Sequence, residues 1–565
     1  MSGDADPIDL LVRGTVVNVT TGTLRDGAVA VDDGEIVALA ERPAERVVEG
    51  AYVAPGLIDA HMHVESSMVT LPRYGEAVVP RGVTSVVHDP HEVANVLGEA
   101  GVRGVIADAA RTPLKARFTV PSSVPASDLQ DGGATLDADA VADLLDHERV
   151  VALGEVMNVP GVLAGDPEVH AKIEAARERG LPVDGHAPRL GGDDLHEVAR
   201  HLDTDHESIG LPEAREKARA GLRVYLREGS SSRNLADLAP LVEAVDARRL
   251  SLCTDDREVT DLLAEGGVDN ALRELVDCGV DPVTAVQMAT RNTADAYGLP
   301  FGRIEPGAPA DLVVLSDLAS WDVEHVVVDG VLDPTADATD PPPTQLAIDT
   351  VEFRALNAAD LALAHPGEET ATVRVVDAVG GLQTGRMTAT VPAVPLADAD
   401  DAPSVLGADV ASDVLPLAVV ERHGGDGSVG RGFVHGLGLE RGAVGSTVAH
   451  DAHNCVVAGA SHDAMARVAN HLREVGGGVA AYDPESESVE SLALPVAGLM
   501  SDAPLADVRA GFEAVEAAAR DLGLRGEAGL MELSFLALEV IPEYRLTNNG
   551  LVDVEAFDYV NVVVD

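Results

Sequence analysis

Two histidines one residue apart, His61-Met62-His63, open the part of this sequence that could do chemistry. On an extended strand, residues i and i+2 share a face, so both imidazoles can reach one metal ion. Further along, Glu155, His186, His206 and the pair Asp255-Asp256 each close a short apolar run. Imidazole with carboxylate suits a borderline divalent ion such as Zn, Fe or Mn. These groups exceed what one four-coordinate ion takes; two ions sharing a bridging carboxylate and a bridging hydroxide would use them all. Singly each is ordinary: His-x-His is a weak signal, and Asp255-Asp256 alone could cap a helix. His196 and His201 sit on a helix-like stretch beside Asp and Arg and are expected to be solvated. What points to a site is recurrence at the same end of different strands.

The elements that must position these groups follow from the pattern around them. From residue 53 the runs GLIDAHMH, GVTSVVHDPHE, ARFTVPS, VVALGEVMN, LPVDGHAP, TDHES, LRVYLREGS and LSLCTDDRE alternate with helix-like stretches such as DPEVHAKIEAARERG. Eight strand–helix units within 53–298 predict an α/β fold, a TIM-like (β/α)8 barrel whose chemistry sits at the C-terminal ends of its strands. Residues 1–52 and 299–331 read as short strands of one small β domain split by the barrel, with a hairpin at Asp33-Gly34. The Pro- and Asp-rich stretch 332–344 reads as a linker, and 346–565 as an additional C-terminal α+β domain.

Composition sets the surroundings. The chain of 565 residues carries 95 acidic and 40 basic residues, a formal net charge of −55, with lysine only at 115, 172 and 217. The carboxylates are spread along the chain, as expected of a surface kept hydrated in concentrated salt, where counter-ions screen self-repulsion. A halophilic, cytoplasmic enzyme is the expectation. The same charge excludes nucleic acid and an anionic membrane as partners. Cys253, Cys278 and Cys455 lie far apart, so neither a disulfide framework nor a thiolate zinc site is expected. The acidic Met1–Asp6 lacks the apolar core of a signal peptide, and no apolar run approaches the roughly 20 residues of a membrane helix.

The motifs also carry a family resemblance. VAPGLIDAHMH resembles the first-strand signature of the amidohydrolase superfamily, and IEPGAPADLVVL the strand that closes its β domain. HMHVESSMVTLPRYGEAVVPRGVTSVVHDPHEVANVLGEAG, GEVMNVPGV, DGHAPRLGG, HESIGLPEAREKARAGLRVYLREGSSSRNL and LCTDDRE together resemble the bacterial and archaeal adenine deaminases. VGSTVAHDAHNCVVAG resembles the extra C-terminal domain of that family, so the likeness spans nearly the whole chain. It implies hydrolysis of adenine to hypoxanthine and ammonia, in purine salvage, by a metal-activated hydroxide at a binuclear site. Mn(II) or Fe(II) are the implied ions, with Zn(II) as a substitute, and adenine and water the small-molecule partners. A homo-oligomer is implied too, with a dimer favoured.

The resemblance further implies that His61, His63 and Glu155 hold one ion, and Glu155, His186 and His206 the second, so that His206 also belongs to the catalytic set. Glu155 stands where many binuclear relatives carry a carboxylated lysine. Asp255 would complete the site and move the proton; it is preferred to Asp256 because the superfamily's aspartate follows Ser or Thr, here Thr254. A ring nitrogen of the purine also needs a partner, and His88, Asp89, His91 and Glu92 follow the second strand. Glu92 is expected either as a carboxylic acid kept protonated by burial or as a helix N-terminal charge. Ser231, Ser232 and Arg233 would contact substrate or cap the next helix, and 449–454 (AHDAHN) would cover the barrel mouth or bind nothing. Two rivals remain: a dihydroorotase- or hydantoinase-like enzyme, which would need the bridging lysine, and a catalytically silent metal-binding module, against which the intact ligand set argues.

Overall fold

A computed structural model describes residues 7–336, 340–366, 369–379, 383–396, 403–526 and 529–564. The N-terminal Met1–Asp6 and residues 337–339 of the expected linker lie outside them. The chain forms two compact units: Met1–His91, Val105–Ser123 and Leu136–Pro341 make the first, and Glu92–Gly104, Val124–Thr135 and Pro342–Asp565 the second.

In the first unit, the N-terminal strands Ile8–Asn18, Thr23–Asp32, Glu35–Ala38 and Ala44–Pro55 share one seven-stranded sheet with Leu312–Asp317, Asp322–Val328 and Val331–Leu332. Leu312 pairs with Pro55 and Leu315 with Tyr52, so chain on either side of the barrel meets in one sheet. Valine and isoleucine alternate onto its inner face, where Val12, Val29, Val31, Ile36, Val53 and Val314 form a dry core. The hairpin expected at Asp33-Gly34 is present, with Asp32 opposite Glu35 and left-handed φ values of 49° and 78° at the two turn residues. A two-residue hairpin loop of that hand matches the twist of its strands, and Gly34 adopts it without strain.

The barrel follows. Parallel strands Leu57–His63, Val83–His88, Lys115–Val120, Val150–Val156 and Val183–Gly185 lie side by side, and Thr204–Asp205, Arg223–Arg227 and Leu250–Cys253 continue the set. The backbone N–H of Asp203 donates to Val183 O at 2.8 Å, joining the two groups on one side. On the other, Asp255 pairs with Met62 and Asp256 with His63, bringing the eighth strand back to the first. Eight parallel strands thus close, each followed by helix, as a (β/α)8 barrel requires. Leu57–His63, Val83–His88 and Val150–Val156 are buried along their whole length, which is why they read as continuous apolar runs instead of alternating ones. The sixth strand is only Thr204–Asp205.

The second unit is built on a nine-stranded sheet, in the order Ser404–Leu406, Thr384–Pro395, Thr370–Ala378, Val429–His435, Val414–Val420, Cys455–Gly459, Ala443–Ser446, Gly478–Asp483 and Ser488–Ala493. The helix His462–Val475 presents Met465, Val468, Ala469 and Leu472 to Val457, Ala443 and Ala480 of that sheet. Two segments from within the expected barrel span, Glu92–Gly104 and Val124–Thr135, belong to this unit. Their hydrogen bonds place them there: Ser127 Oγ donates to Glu539 at 2.8 Å, and Asn548 Nδ2 to Asp131 at 2.7 Å. No helix among the described residues is long and apolar enough to cross a membrane.

Candidate metal centre

His61 and His63 occupy alternate positions of the first barrel strand and therefore turn to one side, as their spacing requires. His63 Nδ1 lies 2.8 Å from the carbonyl oxygen of Asp89 and donates to it. That fixes the tautomer, leaving the Nε2 lone pair directed inward, the arrangement usual for a metal-binding imidazole. His61 is 1% exposed, and neither of its ring nitrogens has a hydrogen-bond partner among the described residues. A buried polar atom without a partner is costly, and an ion accepting its lone pair removes that cost.

Glu155, at the end of the fourth strand, lies between two groups of imidazoles. Its Oε1 stands 3.4 Å from His63 Nε2, 3.7 Å from His61 Nε2 and 3.3 Å from His91 Nδ1. Its Oε2 stands 2.7 Å from His186 Nδ1 and 3.3 Å from His206 Nε2, and those two nitrogens are 3.3 Å apart. Asp255 Oδ1 completes the ring, 3.0 Å from His63 Nε2 and 3.7 Å from His61 Nε2. Metal–ligand bonds of about 2.0–2.2 Å at tetrahedral or octahedral angles put ligand atoms roughly 3–3.5 Å apart. The donor set fits divalent metal ions.

The charges agree. Burial opposes ionisation of Glu155, yet His186, His206 and His91 hold it well below the usual carboxylate range. Burial likewise opposes ionisation of Asp255, and Arg227 with His61 and His63 depresses it. Burial pulls His186 down, but Glu207 and Glu155 outweigh it and raise the imidazole to about 9. This is a negatively charged cage that draws positive charge inward.

Most residues expected from the sequence meet here: His61, His63, Glu155, His186, His206 and Asp255. Asp256 does not; its Oδ1 accepts a short hydrogen bond from Ser66 Oγ. The backbone separates the two aspartates, because Asp255 takes a left-handed φ of 57° that turns its side chain inward. The other residues singled out from the sequence make the following contacts. Asp89, assigned to the substrate, is fully buried, accepts the Glu155 N–H at 3.0 Å on Oδ2 and turns Oδ1 toward His91 at 3.7 Å. It braces the backbone of Glu155. Arg233 pairs with Asp261 at 3.0 Å and Glu265 at 3.1 Å, with its side chain 42% exposed. His88 faces the Met62 carbonyl at 3.2 Å and Glu65 at 3.5 Å, and burial lowers it to about 3. Glu92, in the second unit, is met by His450 Nδ1 at 2.5 Å and, more closely still, by His453 Nε2.

The Ala449 N–H donates to His453 Nδ1 at 3.1 Å, so Nε2 carries the proton and donates to Glu92. On that tautomer His453 directs an N–H, not a lone pair, at Glu92. Within the AHDAHN run, both histidines face Glu92.

His91, expected near the substrate, has Nδ1 3.3 Å from Glu155 Oε1. Sequence reasoning missed Glu207 and Arg227 altogether. Both end barrel strands, in TDHES and LRVYLR, the position rule that found the others. No lysine enters the centre: Lys115 pairs with Asp311 at 2.7 Å, Lys172 donates to Ser122 O at 2.9 Å, and Lys217 pairs with Asp205 at 2.7 Å.

A closed (β/α)8 barrel with a histidine–carboxylate cage at its strand ends defines a metal-binding hydrolase of the amidohydrolase type. Residues 52–332 match the model of the amidohydrolase family, and residues 393–558 that of the adenine deaminase C-terminal domain. Adenine deaminase of Methanothermobacter thermautotrophicus is 42% identical, covering 98% of this chain and all of that one. Those of Desulfatibacillum aliphaticivorans and Salinibacter ruber are 41% and 40% identical, covering 98% and 99% of this chain and 97% and 100% of theirs. Among solved structures, an enamidase of the amidohydrolase superfamily superposes with a TM-score of 0.46 at 19% identity, covering 59% of this chain and 97% of that one. The chain belongs to the adenine deaminase family.

Proposed function

We propose that this chain hydrolyses adenine to hypoxanthine and ammonia. The observation that carries the reading is Glu155, a buried carboxylate placed between His61, His63 and His91 on one oxygen and His186 and His206 on the other. A glutamate in this position, with all three lysines engaged elsewhere, favours the deaminase over the hydantoinase-like alternative.

Divalent ions held by this set would supply a nucleophile from water at neutral pH, by lowering the pKa of bound water towards about 7. The protein does the rest. His61, His63 and Asp255 hold one position, and His186 and His206 the other. Oδ2 of Asp255 is held by Arg227, so Oδ1 takes the proton of the attacking water and delivers it to the departing amine. Water adds at C6 and the C6–N bond breaks; one proton of the water leaves on ammonia, and the other ends on N1 as the C6 carbonyl forms. Asp89 keeps Glu155 in register throughout.

Nitrogen and oxygen donors without a thiolate support Mn(II) or Fe(II), with Zn(II) able to enter. The net charge of −55 supports a cytoplasm of concentrated salt, and the product supports a place in purine salvage. The family resemblance supports a homo-oligomer, with a dimer favoured. The test is full-length protein loaded with Mn(II) or Fe(II) in high salt, with ammonia release followed on adenine, on adenosine and on a hydantoin. Release from adenine is expected; ring opening of the hydantoin, or bound metal without turnover of any purine, would sink the assignment.

A further inference from the structure

Arg227 and Glu207 touch the metal centre without belonging to its ligand set. Arg227 ends the seventh strand, and Glu207 follows His206 at the end of the sixth. Both are buried, at 3% and 8% exposure. Arg227 Nη2 donates to Glu207 Oε2 at 3.1 Å, while Nη1 donates to Glu207 Oε1 and, at 2.5 Å, to Asp255 Oδ2. One planar guanidinium thus ties two carboxylates together, which a lysine could not do with the same directionality.

Each carboxylate leans on a different part of the cage. Asp255 presents its other oxygen to His63 and His61. Glu207 Oε1 faces His186 Nε2 across 4.0 Å, while His186 Nδ1 points at Glu155. The ring therefore lies between two carboxylates, Glu155 on its Nδ1 side and Glu207 on its Nε2 side, which together set its orientation.

We propose that Arg227 and Glu207 are a positioning pair that couples the two halves of the metal centre. Arg227 holds Oδ2 of Asp255, so that Oδ1 alone is available to an ion and to the proton. Glu207, held by the same fork, keeps Nδ1 of His186 turned toward the second position. The proposal rests on the two-ion reading of the cage, and its metal measurements need no adenine.

The test compares full-length Arg227→Met, Arg227→Lys, Glu207→Gln and the Met/Gln double variant, loaded with Co(II) and with Mn(II). Metal release to a chelator, the Co(II) visible spectrum, and kcat and KM for adenine are read, with thermal melting to establish folding. Arg227→Met and Glu207→Gln should each weaken metal retention by about 10–100-fold and shift the Co(II) spectrum. Their loss should fall on kcat and leave KM nearly unchanged. Arg227→Lys should lie between Met and wild type, and the double variant should lose no more than the worse single variant, as expected of residues acting as a unit.

Wild-type metal release, spectrum and kcat in Arg227→Met would overturn the proposal. So would a rise in KM alone, which would make Arg227 a substrate-binding group. Should Arg227→Met fail to fold, the spectrum of Arg227→Lys decides: a shift supports the pair, and an unchanged spectrum refutes it. Wild-type protein that holds its metals but leaves adenine untouched would defeat the deaminase reading and leave the metal comparison intact.

Discussion

The imidazole of His63 donates through Nδ1 to the backbone carbonyl of Asp89 at 2.8 Å, and so turns its Nε2 lone pair toward Asp255 and Glu155. A carbonyl acceptor cannot be titrated away, so this tautomer is set by the fold. Asp89 performs a second task through its side chain, accepting the Glu155 N–H. One residue after the second strand thus fixes ligands on the first and fourth. This coupling explains why a residue so deeply buried carries a carboxylate at all.

Glu155 is the group on which both halves of the cage depend. Glu155→Gln keeps the shape and removes the charge that two groups of imidazoles face. We expect it to lose more activity than the roughly 10–100-fold that a surrounding residue costs, and to retain less metal after dialysis. Wild-type protein stripped with a chelator should lose turnover and regain it on adding Mn(II) or Fe(II). Elemental analysis beside ammonia release checks both, and a fully active, metal-free Glu155→Gln would be decisive against the role.

Asp255 and Asp256 should separate sharply. Asp255→Asn removes the proton carrier but leaves an amide oxygen beside His63, so most metal should stay bound while kcat falls by about 10²–10⁴-fold. Asp256→Asn changes only the acceptor of Ser66 Oγ and should stay within about tenfold of wild type. Equal losses in both variants would show that the proton does not pass through Asp255.

The strand-end rule made the cage legible, because barrel strands buried on both faces leave polar residues only where they emerge. It read Glu155, His186 and His206 for that reason. His91 was placed with the substrate because it lies three residues beyond the strand; a tight turn returns it to the cage as the first residue of the helix His91–Asp108. Arg227 also ends a strand, but a guanidinium has no lone pair to offer a metal ion. Only the structure shows two carboxylates enclosing it. Arg233 erred in the opposite sense, since its partners Asp261 and Glu265 lie more than 25 residues away. The pairing of Glu92 with His453, separated by 361 positions, has no local signature.

The charge of −55 should make stability depend on salt. Screening shortens from about 10 Å at 0.1 M to about 3 Å at 1 M ionic strength, which weakens repulsion among spread surface carboxylates. The thermal midpoint should therefore rise steadily with KCl from 0.1 M towards several molar. A midpoint that is flat or falls over this range would show that self-repulsion does not limit the fold.

His462 provides a pH test in the second unit, away from any metal ligand. It is the first residue of the helix His462–Val475, is 8% exposed, and burial lowers its imidazole to about 4. The positive end of the helix works in the same direction. In the unfolded chain the same group titrates near 6.5. Above that value neither state is protonated and His462 contributes no pH dependence. Between 6.5 and 4 the unfolded chain binds a proton that the folded chain refuses, so stability falls as pH falls; below about 4 the loss is complete. A shift of this size corresponds to roughly 3 kcal/mol at most. His423 and His453, lowered by burial to about 3 and about 4, act with the same sign. His462→Gln should therefore flatten, without abolishing, the decline in thermal midpoint between pH 6.5 and 4. The check is the difference between variant and wild type across that window; parallel curves would mean that His462 is protonated in the fold.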